Sequence, residues 1–488
     1  MSITRNRILI NIWHLLYGTT TAALLNALAL VVLASYLQAH DYGVFSVVLA
    51  VAMIAGFFTD VGLSDIVLRE GAKKQNEHAK LFVSFVKLRL LFLLISVVAG
   101  FLFIHFMYYS EQEIVLTSYY LLLPMIMGVT AQSIASTYFQ LYEKMQYISY
   151  IKMISASLLV FFMIVGVGLS FSPLVMALLY GCAYVIAGMF GMILFLKHAR
   201  LKWRYVPFHK ELLHQLWMFA AGGLLFVILP HLGPLVLERS ITLVEVGLFA
   251  IAYRIPQALQ QVPFIVAGAY YPALFKEFAN SNDKRHLQLN VVETKLMGVI
   301  GMLMAVPFVY FSEPILVNVF GNEWGAAAPA LLVLSFMLVF QALNIAIADG
   351  LTSSGHQTAR TCTQFIAVSI GVFLYYFLSQ RYGVIGAAVA GVSIEVICLI
   401  GFLWMYRANG LFIAKKVVLP FVVIFVATVV VVHQLSFPGG VGAAITVTII
   451  GMVVFWDRDL RELMLTIVGT NGLRRKEMRG ASDVKHKG

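Results

Sequence analysis

The sequence predicts an all-α integral membrane protein of about 14 transmembrane helices, and three observations carry that prediction. Of 488 residues, 61% are hydrophobic and only 12% charged, with a mean hydropathy of +0.89; an ordinary soluble domain is about 25% charged. Apolar runs of spanning length recur from end to end, and about 20 residues rising roughly 1.5 Å each cross a hydrocarbon core of about 30 Å. Basic residues gather in alternate loops, as the positive-inside rule requires of a multi-pass chain.

The runs fall near 11–36, 43–66, 82–106, 115–140, 152–171 and 173–196. After a polar stretch at 197–211 they resume near 213–237, 246–272, 291–311, 328–350, 360–379, 384–405, 416–434 and 440–456. The first follows Arg5 and Arg7 and is too long for a secretory signal, so it reads as an uncleaved span. With the N-terminus in the cytoplasm, the outward loops hold only Arg239 and Arg381, and the helices hold Lys87, Arg89 and Arg254. The rest of the 34 basic residues then face inward, which places both termini in the cytoplasm. Lys87 and Arg89 are expected to snorkel to the inner surface. The net charge of +11 reflects this topology and attraction to membrane lipids; nucleic acid is not an expected partner.

Trp203, Tyr205 and Trp217 mark the polar linker as an interfacial segment. Beyond Trp456, Leu460, Leu463, Met464 and Ile467 recur at helical spacing, the pattern of a helix lying on the membrane surface. Cys182, Cys362 and Cys398 show no CxxC spacing and read as packed thiols, with neither disulfide nor metal site. Walker A and GxSxG motifs are absent from the sequence, as is any metal-spaced His/Cys cluster. No catalytic residue and no cofactor is therefore expected.

The chain repeats itself. HDYGVFSVVLAV (40–51) enters one helix as VEVGLFAIAYRI (244–255) enters another, matching Asp41 to Glu245, Gly43 to Gly247 and Phe45 to Phe249. Two six-helix lobes in parallel sense are expected at 1–196 and 213–405, joined by a cytoplasmic linker at 197–212. Two further helices over 406–456 follow, then an amphipathic segment and tail over 457–488. Repeat-built membrane proteins commonly place a transport site between their halves.

The stretch from Glu245 to Leu274 holds the most informative polar residues. Arg254, Gln257, Ala258 and Gln261 fall at i, i+3, i+4 and i+7, one helical face. A charge inside the bilayer costs about 3 kcal/mol or more unless it meets water or a partner. Arg254 therefore either faces an anionic group in a wet cavity or is neutralised by a buried carboxylate. Pro256, Pro263 and Pro272 each remove a donor and favour a bend. Asp60, deep in the second span, suits either a site or packing, and Asn26 in the first span carries an amide that needs partners. Glu395, near the midplane, is open to three roles: an ion pair with Arg254, proton or sodium coupling, or a neutral hydrogen-bonded acid. His231, between Pro230 and Pro234, reads as a satisfied histidine at a helix break.

Four segments, HDYGVFSVVLAVAMIAGFFTDVGLSDIVLREGAK (40–73), VEVGLFAIAYRI (244–255), FGNEWGAAAPALLVLSF (320–336) and RYGVIGAAVAG (381–391), resemble in order and spacing the polysaccharide and oligosaccharide flippases. These include the O-antigen (Wzx-type) flippases of the multidrug/oligosaccharidyl-lipid/polysaccharide exporter superfamily. The resemblance implies two lobes around a cavity that takes a polyprenyl-diphosphate-linked oligosaccharide, with polysaccharide assembly proteins as partners. Arg254 best matches the family's cationic cavity lining; Asp60 and Asn26 carry over by helix location. An ion-coupled drug or cation antiporter of the same superfamily, and a membrane-embedded glycan polymerase or ligase, are the alternatives. The first needs cavity acids, and the second needs a large outward loop.

Overall fold

The computed structural model describes residues 2–73, 78–199, 212 and 216–464. Most of the expected linker and everything after Met464 lie outside the described residues. Within them every regular element is a helix: α1 Ser2–Tyr36, α2 Ala39–Phe58, α3 Leu63–Lys73, α4 His78–Met107, α5 Gln112–Leu141, α6 Met145–Gly168, α7 Pro173–His198 and α8 Leu216–Leu237. The chain continues with α9 Leu243–Leu259, α10 Gln261–Ala279, α11 Asp283–Phe320, α12 Ala328–Ser353, α13 Gln357–Met405, α14 Arg407–Ile413, α15 Leu419–Gln434 and α16 Gly439–Trp456. A short 3-10 turn, Asn322–Ala327, leads into α12, and a π turn, Ala414–Val418, joins α14 to α15.

Among the described residues, eleven helical stretches are long and apolar enough to cross a membrane. One of them, α13, runs 49 residues through a kink at Gly383 (φ 56°, ψ −138°) and supplies two crossings. With α8 and the α9–α10 pair the expected 14 spans are accounted for. Large side chains on the outer faces stay exposed, among them Leu94, Phe106, Phe373 and Phe377, as lipid contact demands. Trp404 and Trp456 stand exposed at helix ends, where amphipathic rings anchor to the interface.

Two expected spans are broken. The second ends at Phe58 and restarts at Leu63, because Val61 (φ 49°) and Gly62 (φ 82°) turn the backbone left-handed between them. The helix carrying Arg254 stops at Leu259, four residues before Pro263; a proline ring clashes with the carbonyl of residue i−4 and offers no N–H to it.

The chain divides into two compact units that cut across individual helices. The first is Met1–Ala258, Glu313–Ala330 and Val368–Gly391; the second is Leu259–Ser312, Leu331–Ala367 and Val392–Gly488. In the first, α5 packs along α7, α1 along α6, and α2 against α5 and α8. Small residues permit this: a Cβ on Gly128 of α5 would stand 2.3 Å from the Tyr184 backbone of α7, the close approach that membrane helices use for cohesion. An aromatic knot of Phe82, Phe85, Tyr138, Phe139 and Phe195 fills the core around α3. In the second unit α11 packs on α12 through Gly301 and through Met297, Ala342 and Ala346. The Tyr310 hydroxyl meets Thr446 of α16 at 2.6 Å.

Residues 457–460, just after α16, are fastened. Asp457 accepts the backbone N–H groups of Asp459 and Leu460 and starts a helical turn. Buried Lys295 of α11 reaches Asp457 and Asp459, each at 2.6 Å. Leu460 is buried, while Met464 stays exposed. The three cysteines are unpaired; Cys398 is buried and Cys182 partly so, but Cys362, expected to be packed, is exposed.

Candidate functional site

The site is assembled where the two repeats cross at their motif glycines. Helix α9 begins with a capping box: Thr242 N–H donates to Glu245 Oε2 at 3.0 Å, and Glu245 N–H donates to Thr242 Oγ1 at 3.3 Å. Helix α2 is capped from elsewhere, Glu323 Oε1 accepting the Ala39 N–H at 2.9 Å, where a carboxylate also suits the helix dipole. The two N-termini then cross backbone to backbone. A Cβ on Gly43 would lie 2.0 Å from Leu243 O, and one on Gly247 would lie 1.9 Å from Ala39 O. The contact is reciprocal: each glycine sits on the residue four positions before the other.

This crossing delivers Tyr42 and Arg254 to one place in the first unit. Tyr42 is fully buried, and its hydroxyl, without a well-formed hydrogen bond, faces the Arg254 guanidinium. Tyr180 and Tyr184 of α7 and His231 of α8 lie within electrostatic reach of the same guanidinium. Edge-on aromatic contacts hold the wall: Trp324 to Tyr42 at 5.5 Å and Phe45 to Tyr180 at 5.1 Å. Arg254 is part-buried and donates through Nη1 to Gln257 Oε1 at 3.4 Å. Among the described residues it forms no salt bridge. A guanidinium so placed, among neutral hydroxyls and one amide, retains donors for an incoming anion.

The other predicted residues are placed as follows. Gln257 joins Arg254, whereas Gln261 is exposed at the start of α10, in the second unit. Asn26 is half-buried on α1 and has no hydrogen bond among the described residues. Asp60 is engaged locally: its Oδ1 accepts from Ser64 N–H (2.9 Å) and Ser64 Oγ (3.1 Å), and Arg89 Nη1 lies at 3.1 Å. Arg89, expected to snorkel, is instead 1% exposed, because α4 turns it inward to that acid. Glu395, in the second unit, receives Gln341 Nε2 at 3.1 Å and Asn344 Nδ2 at 2.8 Å. His231 is buried, but α8 runs through Pro230 and Pro234 without the expected helix break.

Sequence reasoning missed the tyrosines. Tyr42 stands inside the repeated motif beside Gly43, and Tyr180 and Tyr184 are spaced i, i+4 on one helix face. Both signals were present, but tyrosine in an apolar run reads as core.

A family model described as "Polysaccharide biosynthesis protein" matches residues 8–278, more than half of the chain. The chain belongs to this family. A relative from Haloferax volcanii, "Probable low-salt glycan biosynthesis flippase Agl15", is 23% identical over 150 residues, 30% of this chain and 31% of that protein. The match thus spans about a third of that relative's length. Among solved structures, "Lipid II flippase MurJ, inward closed conformation" aligns with a TM-score of 0.63 at 12% identity, over 92% of this chain and 99% of that one. An inward-facing "multidrug resistance MATE family transporter of the MOP superfamily" gives 0.68 at 14% identity, over 81% and 96%. At these identities the likeness is one of fold, and it makes this polysaccharide biosynthesis family member an all-helical, transporter-like membrane protein.

Proposed function

We propose that the protein is a flippase that moves polyprenyl-diphosphate-linked oligosaccharide units across the bacterial inner membrane by alternating access, with both termini in the cytoplasm. The observation that carries this function is Arg254: a guanidinium in a membrane-spanning helix, among tyrosine hydroxyls, with no carboxylate in salt-bridge range among the described residues. A diphosphate offers such a group paired acceptor oxygens, and charge-assisted bonds of that kind contribute about 1.5–3 kcal/mol each. Gln257 and Asn26 supply amides for sugar hydroxyls. Asp60, already held by Arg89 and Ser64, serves to set the α2–α3 junction. Glu395 remains a candidate for ion coupling, and membrane lipids accommodate the polyprenyl tail.

The family description and the glycan flippase relative support this assignment over a polymerase or ligase. The fold likeness to a multidrug transporter favours a drug or cation antiporter as the second possibility, but the neutral surroundings of Arg254 suit an anion better than a cation. Replacing the chromosomal copy by Arg254→Ala is expected to abolish surface polysaccharide while leaving the protein in the membrane. Arg254→Lys should restore part of it, since charge is kept and the bidentate fork is lost. Wild-type polysaccharide in the alanine variant, or drug sensitivity without a polysaccharide defect in a deletion, would count against the assignment.

A further inference from the structure

The second unit buries a group of acids that the binding site does not use. Glu293 of α11 and Asp349 of α12 bring their carboxyls within hydrogen-bonding reach of each other. Glu293 is 0% exposed and Asp349 8%. Neither ionised carboxylate can donate, and Glu293 Oε1 and Asp349 Oδ2 are buried acceptors that receive no hydrogen bond. Fully buried Asn290 is aimed at the pair: its Nδ2 donates to Ala346 O at 2.7 Å and reaches Glu293 Oε2 at 3.4 Å. Its Oδ1 is a third acceptor without a donor. Gly350 admits this amide, since a Cβ there would lie 2.3 Å from Asn290 Oδ1.

Each element around the pair contributes a group. Arg360 of α13 acts on Asp349 and donates to Thr352 Oγ1 at 3.2 Å. Tyr270 and Tyr271 of α10 lie within electrostatic reach of Glu293 and Asp349 respectively, and Tyr406, after α13, within that of Glu293. His286, earlier on α11, is tied to Ser353 at 2.8 Å. Lys295 is committed to Asp457 and Asp459. Two carboxyls thus confront one guanidinium, leaving one excess negative charge if both ionise. Like charges at this range in a dry site do not both ionise. One proton cancels the excess and gives two of the three orphaned oxygens a shared donor. A metal cation would bring charge too, but hard cations take six or more oxygen ligands, and the two carboxyls with Asn290 Oδ1 offer fewer.

We propose that Glu293 and Asp349 share one exchangeable proton, and that this pair couples proton movement to transport. On loading, an O–H bond forms at Glu293 Oε1 and one breaks in hydronium, leaving water; release is the reverse. The coupling half rests on the flippase function, whereas the shared proton does not.

Infrared titration of the full-length protein in lipid nanodiscs tests the proton directly. Wild type should show a protonated-carboxyl C=O stretch at neutral pH that Glu293→Gln removes and sodium chloride leaves in place. Arg360→Gln should move its loss to higher pH, which keeps the test decisive if Glu293→Gln folds poorly. No such band in wild type, or its displacement by sodium at fixed pH, would overturn the proposal. In proteoliposomes, a pH gradient should stimulate movement of a fluorescent polyprenyl-diphosphate glycan by wild type, and this stimulation should vanish in Glu293→Gln. Undiminished stimulation in that variant would overturn the coupling. A wild type with the infrared band but no glycan movement would refute the flippase function while upholding the shared proton.

Discussion

The crossing of α2 and α9 leaves no room for a side chain, and adding a single methyl tests it. Gly43→Ala puts a Cβ 2.0 Å from Leu243 O, and Gly247→Ala puts one 1.9 Å from Ala39 O. Carbon-to-oxygen contacts settle near 3.3 Å, so the backbones must part by about 1.3 Å for either methyl. Both obstructing atoms are main-chain, and no rotamer change relieves them. Such overpacking costs about 1–3 kcal/mol, against a gain of up to about 1 kcal/mol from replacing a helical glycine. Each variant should therefore unfold at a lower temperature than wild type, followed by tryptophan fluorescence in detergent. The double variant should be little worse than either single, because one separation accommodates both methyls. Gly451→Ala, with nothing within 4 Å of the new Cβ, should be neutral or stabilising. If Gly43→Ala behaved like Gly451→Ala, the close crossing that brings Tyr42 to Arg254 would be refuted.

The Asp60–Arg89 pair should respond asymmetrically. Asp60→Asn strips the charge from the partner of an arginine that is 1% exposed, and breaking a buried pair costs about 3–5 kcal/mol. Arg89→Met leaves Asp60 its bonds from Ser64 and should cost less, with thermal unfolding of both singles and the double reading the difference. The Asp459 clamp should be pH-dependent. Its hydrogen bond to Lys295 holds the carboxyl below the usual range against partial burial. Its stabilisation is thus complete above the unfolded value of about 3.9 and disappears as pH falls through the lower folded value. Hydrogen exchange over 457–464 should rise at acid pH in wild type and be high at neutral pH already in Lys295→Met.

Much of the fold was legible because hydropathy reports depth along the membrane normal. The spans and the kinship of Gly43 with Gly247 follow from run lengths and a repeated motif, whereas the gap between the runs at 360–379 and 384–405 is a kink at Gly383 within one helix. What depth does not report is azimuth. Arg89 sits near a helix end and so reads as snorkelling, yet it points inward to Asp60. Tyr180 and Tyr184 share a face, but nothing local says that the face meets α9. Glu293 and Asp349 are 56 residues apart, and only the packing of α11 on α12 makes them a pair. The break at Leu259 was foreshadowed by Pro263; that at Val61 was not, since a β-branched residue is an unusual choice for positive φ.

The central claim is that Arg254 meets phosphate, and binding measures it most directly. Purified protein titrated with a polyprenyl diphosphate should lose about 10- to 150-fold in affinity on Arg254→Ala, the equivalent of one charge-assisted contact of about 1.5–3 kcal/mol. The same titration with the uncharged polyprenol should show no difference between the two proteins. Equal affinity of wild type and Arg254→Ala for the diphosphate would contradict the account.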